Sequence, residues 1–457
     1  MEKYVIYGSP GTGKTTYLMG LLEKAMDKTP SERIAFVSFT RQGTYEGVER
    51  AIKKFKLNKR DTQYFKTIHS LCFHKLGINR SMMISKEHYK LLSEQTGIAF
   101  TGYYTQDMTS QSDVYLHYIS MLHHNPKVAE QMNKDLNATT LAYVQFQYAE
   151  LKKQIGILDF DDLLLQYLEF GEPLDIDVAF IDEAQDLTPL QWRVVNKLFL
   201  NCSKIWVSGD DDQAVYEWSG ANIAEFMSFS TNSHVLGQSY RLPKNVLRLA
   251  MNITKDIKHR KHKDFKPKDT DGKLSAVESL ETANLKGGEL VLARTNWVLK
   301  QMSDGFSHMG LPYLHKGRSS LNPIKLRAIY EHLKFEQGII TADNMSKFKT
   351  HFRHMDRVPW QNSIILSAQQ VVHYDNVLLQ GNIDKSPVLF DTFHSCKGSE
   401  NDHVIVNPEL STRVYKNMFK NHDSELRCLY VAMTRTKSDL TVLLPKSKYY
   451  YPSRYFS

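Results

Sequence analysis

Cysteine is scarce in this chain. Its 457 residues include four, Cys72, Cys202, Cys396 and Cys428, far apart and with no C-x-x-C pair. That spacing argues against a zinc or iron–sulfur site, and a reducing cytosol is expected. Long apolar runs are lacking too: mean hydropathy is −0.42, and no stretch reaches the length of a membrane span. The N-terminus runs straight into a strand-like segment at residues 4–7, so no secretory leader is expected. There is no internal repeat and no low-complexity tract. Neither charge dominates: 58 Lys+Arg against 50 Asp+Glu leaves +8, with pI ≈ 8.9. That mild excess suits a polyanionic partner without requiring one. The length allows two or more domains with real cores.

What is present is organised around residues 8–16, GSPGTGKTT, which fit G-x-x-x-x-G-K-[ST] with Gly8, Gly13, Lys14 and Thr15 in place. An apolar run (YVIY, 4–7) precedes the loop and an apolar-faced helical stretch (17–26) follows it, so the context is strand, glycine loop, helix. Such a loop turns successive N–H groups toward phosphate oxygens at the positive end of a helix. Lys14 is placed for the β- and γ-phosphates of ATP and the Thr15 hydroxyl for Mg²⁺.

Further strand-like runs are 34–38 (IAFVS), 64–67, 178–182 (VAFID) and 204–208 (KIWVS), alternating with helical stretches. That alternation indicates a parallel sheet covered on both faces. From Ile78 to about Asn137 no buried strand is evident, and a small helical insertion is expected. After position 233 a second unit begins, with strands at 289–293, 388–391, 403–406 and 440–444 and a second insertion over 319–386. The basic run 255–268 (KDIKHRKHKDFKPK) reads as a solvated loop, with a phosphate-tracking surface as the alternative.

Asp182 and Glu183 follow a buried strand in VAFIDEAQD. In a chain with a phosphate loop, this pair suggests that Asp182 holds Mg²⁺ and Glu183 polarises the attacking water. In SGDDDQAVYEWSGA (208–221), Gln213 is placed to orient water or touch a γ-phosphate. Tyr216 and Trp218 offer faces for stacking bases, although on composition alone Trp218 reads better as core.

DEAQD followed by GDDDQAVYEWSGA closely resembles the UvrD/Rep/PcrA group of superfamily 1 DNA helicases. VSFTRQGTYEGV, KTIHSLC, DFDDLL, LGQSYRLPKNV, LARTN, GLPY, DTFHSCKGSENDHVIV and LRCLYVAMTRTKSDL resemble further family segments, in order, over almost the whole length. The resemblance implies an α/β fold with two RecA-like P-loop motor domains, each carrying a small, mainly helical insertion. The first motor domain would comprise 1–77 and 138–233 around an insertion at 78–137, and the second 234–318 and 387–457 around a reduced insertion at 319–386. ATP would bind in the cleft between the motor domains.

Residue by residue, it implies ATP contacts from Gly8, Ser9, Pro10, Gly11, Thr12, Gly13, Lys14, Thr15 and Thr16, base stacking on Tyr240 and a ribose bond from Glu400. Gln213, Arg241 and Arg435 would meet the γ-phosphate, both arginines coming from the second motor domain. Phe39, Thr40, His69, Tyr216, Trp218 and His394 would line the single-strand track, and Arg294 lies in a similar motif. The chain departs from the family in its short insertions, in FTRQGT where relatives carry a lysine and small residues, and in the expected absence of a leading helix that reads adenine.

The implied function is an ATP-dependent DNA helicase moving 3′ to 5′ on single-stranded DNA, working as a monomer at single/double-strand junctions. Replication or recombination proteins are candidate partners. The alternatives are a translocase that strips proteins with little unwinding, and a non-motor ATP-gated binding module. The compact size suits a viral or plasmid genome, with action in the host cytoplasm in the viral case.

Overall fold

The computed structural model describes residues 1–38, 49, 52–55, 58, 61–103 and 112–456. The chain divides into two compact units, Met1–Arg241 with Ile257–Lys268, and Leu242–Asp256 with Asp269–Ser457.

In the first unit the described strands are β1 (Glu2–Gly8), β2 (Ile34–Ser38), β3 (Phe65–Lys66), β4 (Val178–Asp182), β5 (Lys204–Gly209) and β6 (Ser233–Leu236). They form one sheet of order β3-β2-β4-β5-β1-β6, parallel at every pairing. The central strands are apolar along their whole length because helices cover both faces: β2 and β4 are buried at every position. Tyr4 and Trp206, paired across β1 and β5, stack with ring centroids 4.1 Å apart. Every strand of a parallel sheet presents its C-terminal end on the same edge, and the glycine loop, Asp182 and Gly209 therefore gather there.

Three boundaries differ from the sequence expectation, one of them at Ile257–Lys268, which belongs to the first unit rather than the second. Ser233–Leu236 pairs with β1, so the first sheet continues past position 233. The strand escapes a hydrophobic scan because it is a half-exposed edge. Helix Ala138–Ile155 joins the insertion, since its Val144, Tyr148 and Leu151 pack with Leu92, Phe100 and Leu116. Helices Lys86–Thr96, Asp113–His124 and Pro126–Asn133 complete that layer.

In the second unit the described strands are β7 (Lys273–Val277), β8 (Leu290–Ala293), β9 (Tyr313–His315), β10 (Arg318–Ser319), β11 (Val388–Thr392), β12 (Asn401–Asn407) and β13 (Thr436–Leu443). Their order is β10-β9-β11-β8-β12-β13-β7, antiparallel only at the β9–β10 hairpin. Between β10 and β11, helices Pro323–Glu336 and Ala368–Leu379 enclose a separate small core around Phe335, Phe348, Trp360 and Tyr374.

Candidate functional site: a phosphate loop and its acidic partners

The glycine loop joins β1 to helix Lys14–Met26. Gly11 and Gly13 adopt φ of 71° and 78°, the left-handed region that glycine enters without strain. A Cβ on Gly8 would lie 2.4 Å from Thr12 Oγ1 and 2.6 Å from Lys14 Cγ, so the loop closes over its own first residue. Lys14 Nζ donates to the Gly8 carbonyl at 2.9 Å, and Thr12 Oγ1 to the Ser9 carbonyl at 2.8 Å. The helix begins at Lys14, so its unsatisfied first-turn N–H groups and positive dipole end face the loop.

Thr15 Oγ1 donates to Asp182 Oδ2 at 2.6 Å, and the buried Ser208 hydroxyl donates to the other oxygen, Oδ1. Burial, and next the neighbouring Glu183 charge, raise the Asp182 carboxyl above the usual range. Thr15 and Asp182 are hard oxygen donors, and such a pair suits a Mg²⁺ ion that keeps waters and takes phosphate oxygens as well. Glu183 stands at φ 54°, uncommon for a residue with a side chain. Its N–H is held by Asp182 Oδ1 at 3.0 Å and its carboxylate by Gln185 Nε2. Gln185 Oε1 accepts from the Asp210 N–H at 3.1 Å, tying DEAQD to GDDDQ. Gln213 Nε2 donates to Asp210 Oδ2 at 2.7 Å.

Arg241, expected in the second motor domain, belongs to the first unit. The reason is local: Ser239 Oγ donates to the Pro10 carbonyl and the Tyr240 N–H to the Gly11 carbonyl, each at 2.8 Å. Tyr240 thus sits beside the phosphate loop with its side chain exposed. The second unit holds Arg435, Glu400 and His394. Arg435 is buried, with Nε donating to the Val431 carbonyl at 2.9 Å. Glu400 is exposed, 3.6 Å from Lys437. His394 shares a hydrogen bond with Cys428 Sγ at 3.2 Å. Burial, and then the Arg294 charge, hold its imidazole neutral, well below the usual histidine range.

Of the expected track residues, Phe39 and Thr40 lie outside the described residues. His69 stands edge-on to Phe160, centroids 5.6 Å apart, and Tyr216 is half-buried. Trp218 is half-buried rather than core. Its ring lies 5.8 Å from that of His117, whose Nε2 bonds the Trp218 carbonyl at 3.1 Å. The helical insertion therefore grips the Trp218 loop through His117.

That contact carries a pH dependence. Burial pushes the His117 imidazole down to about 4, so it is neutral when folded. The unfolded chain binds a proton there near pH ~6.5, and stability is lost as pH falls from that value toward 4, by up to about 1.4 kcal/mol per pH unit. His117→Gln should flatten the fall in melting temperature between pH 7 and 5.

Sequence reasoning missed Ser208, Gln185, Arg260 and Lys263. Only Ser208 left a local signal, a hydroxyl at the end of the next strand. The basic run is neither wholly solvated nor a continuous phosphate surface. Lys263 is buried against Asp210, Asp211 and Asp212, and Arg260 pairs with Asp212, while Lys258, His259, Lys261, His262 and Lys266 are exposed.

The UvrD/REP helicase N-terminal domain family matches residues 1–234, more than half of the chain. The chain belongs to the UvrD/REP helicase family. Membership implies two RecA-like domains, and each unit carries its own mainly parallel sheet. The ATP-dependent DNA helicase PcrA of Staphylococcus aureus (strain Mu50) is 24% identical over 361 residues, 68% of this chain and 48% of that protein. A probable DNA helicase II homolog of Mycoplasma capricolum is 28% identical over 300 residues, 59% of this chain and 41% of its own. The chain thus spans about half the length of the curated relatives it matches. The solved PRRSV helicase covers 98% of this chain and 53% of its own at TM-score 0.38 and 10% identity, too distant to add to the assignment. Among the described residues no helix is long and apolar enough to cross a membrane.

Proposed function

We propose that this UvrD/REP-family protein hydrolyses ATP to move along single-stranded DNA, with 3′ to 5′ polarity, and separates strands at junctions. The observation that carries the reading is the join of Thr15 to Asp182 beside the strained, hydrogen-bonded Glu183, on one edge of one sheet. Residues 8–16 and Lys14 hold the phosphates, and Thr15 and Asp182 would hold Mg²⁺, which supplies charge neutralisation. Glu183 takes a proton from water as its oxygen bonds the γ-phosphorus and the bond to the β–γ bridging oxygen breaks, leaving ADP and phosphate. Gln213 orients that water or the γ-phosphate. Arg241, adjoining the loop, and Arg435, assigned on its sequence motif, stabilise the transferring charge. Tyr240 stacks on the base and Glu400 bonds the ribose.

The DNA track is assigned to Phe39, Thr40, His69, Tyr216, Trp218 and His394. Trp218→Ala should weaken single-strand binding by ~1–3 kcal/mol while basal ATP turnover survives. Equal loss of basal turnover with a lowered melting temperature would make Trp218 a packing residue only.

Strand separation of 3′-tailed and 5′-tailed duplexes tests polarity: displacement on the 3′ tail is expected, and preference for the 5′ tail would refute it. A second reading, a single-strand translocase that displaces proteins and unwinds little, is favoured by the small second insertion with its own core. Processive unwinding of long duplexes by an isolated monomer would exclude it.

A further inference from the structure

We propose that Lys263 is a positioning residue for hydrolysis, fixing the side-chain amide of Gln213 through Asp210. The proposal rests on the reading of Gln213 as a contact to water or the γ-phosphate.

Asp210, Asp211 and Asp212 are consecutive and each fully buried. Three adjacent buried carboxylates repel one another and lose their hydration, so they need cations among them. Lys263 supplies one from 51 residues beyond Asp212 (263 − 212 = 51). Its ammonium lies 3.1 Å from Asp210 Oδ1 and 2.9 Å from Asp212 Oδ2, and it bonds Asp211 Oδ1 directly. Arg260 forks onto Asp212 at 2.8 and 2.6 Å, and the Lys261 N–H donates to Asp211 Oδ2 at 2.6 Å. The one remaining oxygen of the cluster, Asp210 Oδ2, accepts from Gln213.

That last bond gives the cluster a use beyond folding. An amide presents a donor side and an acceptor side, and nothing in its own shape selects which faces outward. An ionised carboxylate only accepts, so it holds the Gln213 NH₂ and turns Oε1 the other way, as an acceptor for water. Without the ammonium, three buried carboxylates share one guanidinium, and the cluster must take up a proton or open. A protonated carboxyl can donate, and Gln213 can then flip. The same Asp210 is tied through Gln185 to Glu183, so the water-activating residues share one frame. The segment carrying Lys263 belongs to the first unit while the residues on either side of it belong to the second, so the chain itself links this frame to the second unit.

The test is steady-state ATP turnover of the full chain with saturating oligo(dT), for Lys263→Met, Lys263→Arg, Gln213→Ala and the Lys263→Met/Gln213→Ala double variant. Lys263→Met should lower kcat about tenfold with KM for ATP within about twofold, and Lys263→Arg should recover to within about threefold of the parent. In the Gln213→Ala background, Lys263→Met should cost less than about twofold more, because the two act as one unit. If Lys263→Met fails to fold, Asp211→Asn/Lys263→Met removes one charge of each sign, still strips Asp210 of its cation, and should show the same kcat loss. Multiplicative losses in the double variant, an unchanged kcat in Lys263→Met, or a loss confined to KM would overturn the proposal alone. Gln213→Ala with normal kcat would remove the Gln213 reading and the proposal with it.

Discussion

Glu183→Gln should lower ATP turnover by about 10²–10⁴-fold while leaving ATP and DNA binding near those of the parent. The substitution keeps the size of the side chain and its contact with Gln185, and the left-handed backbone at position 183 is no harder for Gln than for Glu. What is lost is the carboxylate proposed to receive the proton of the attacking water. Lys14 and Thr15 are untouched, so the nucleotide still has its loop. Fluorescent-nucleotide titration and single-turnover hydrolysis, run side by side, separate binding from chemistry. Normal turnover in Glu183→Gln would move the base elsewhere.

The second large effect is on stability. Arg294, which follows β8, is fully buried and forks onto Glu425 of helix His422–Met433, with Nε and Nη2 each 2.7 Å from a carboxylate oxygen. Tyr451 donates to the same carboxylate at 3.1 Å, and among the described residues Arg294 Nη1 has no hydrogen-bond partner. Glu425→Gln would leave a buried guanidinium uncompensated, so the second unit should lose about 3–5 kcal/mol. Removing both charges, in Arg294→Met/Glu425→Leu, should restore most of it, since a buried pair exchanged for apolar side chains is often neutral. Urea unfolding measures both variants. A loss below about 1 kcal/mol in Glu425→Gln would show that water reaches the pair.

The parts of the site visible in the sequence are those whose chemistry is local. A phosphate loop must keep its glycines and lysine at fixed spacing, because consecutive backbone groups do the binding. Asp182 and Glu183 stand out because an apolar strand ends on them. Lys263 was hidden for the opposite reason: it lies in a polar run, and its partners are brought to it only by the fold. Gln185 is equally silent, since one amide between two motifs has no pattern of its own. The fold shows the same division. Buried central strands such as β2 and β4 are continuous apolar runs, whereas β6 and β7, at sheet edges, are half polar. Arg241 joins the first unit rather than the second, because a motif indicates a contact and says nothing about which core its backbone joins.

The most direct test of the central claim, that Thr15, Asp182 and Glu183 form an ATP-hydrolysing centre driven by single-stranded DNA, is ATP turnover with and without oligo(dT). Turnover is expected to rise at least about tenfold with the oligonucleotide, and to stay about 10²–10⁴-fold below the parent in Glu183→Gln at every DNA concentration. Turnover that ignores DNA, or binding of ATP with no turnover under either condition, would contradict it.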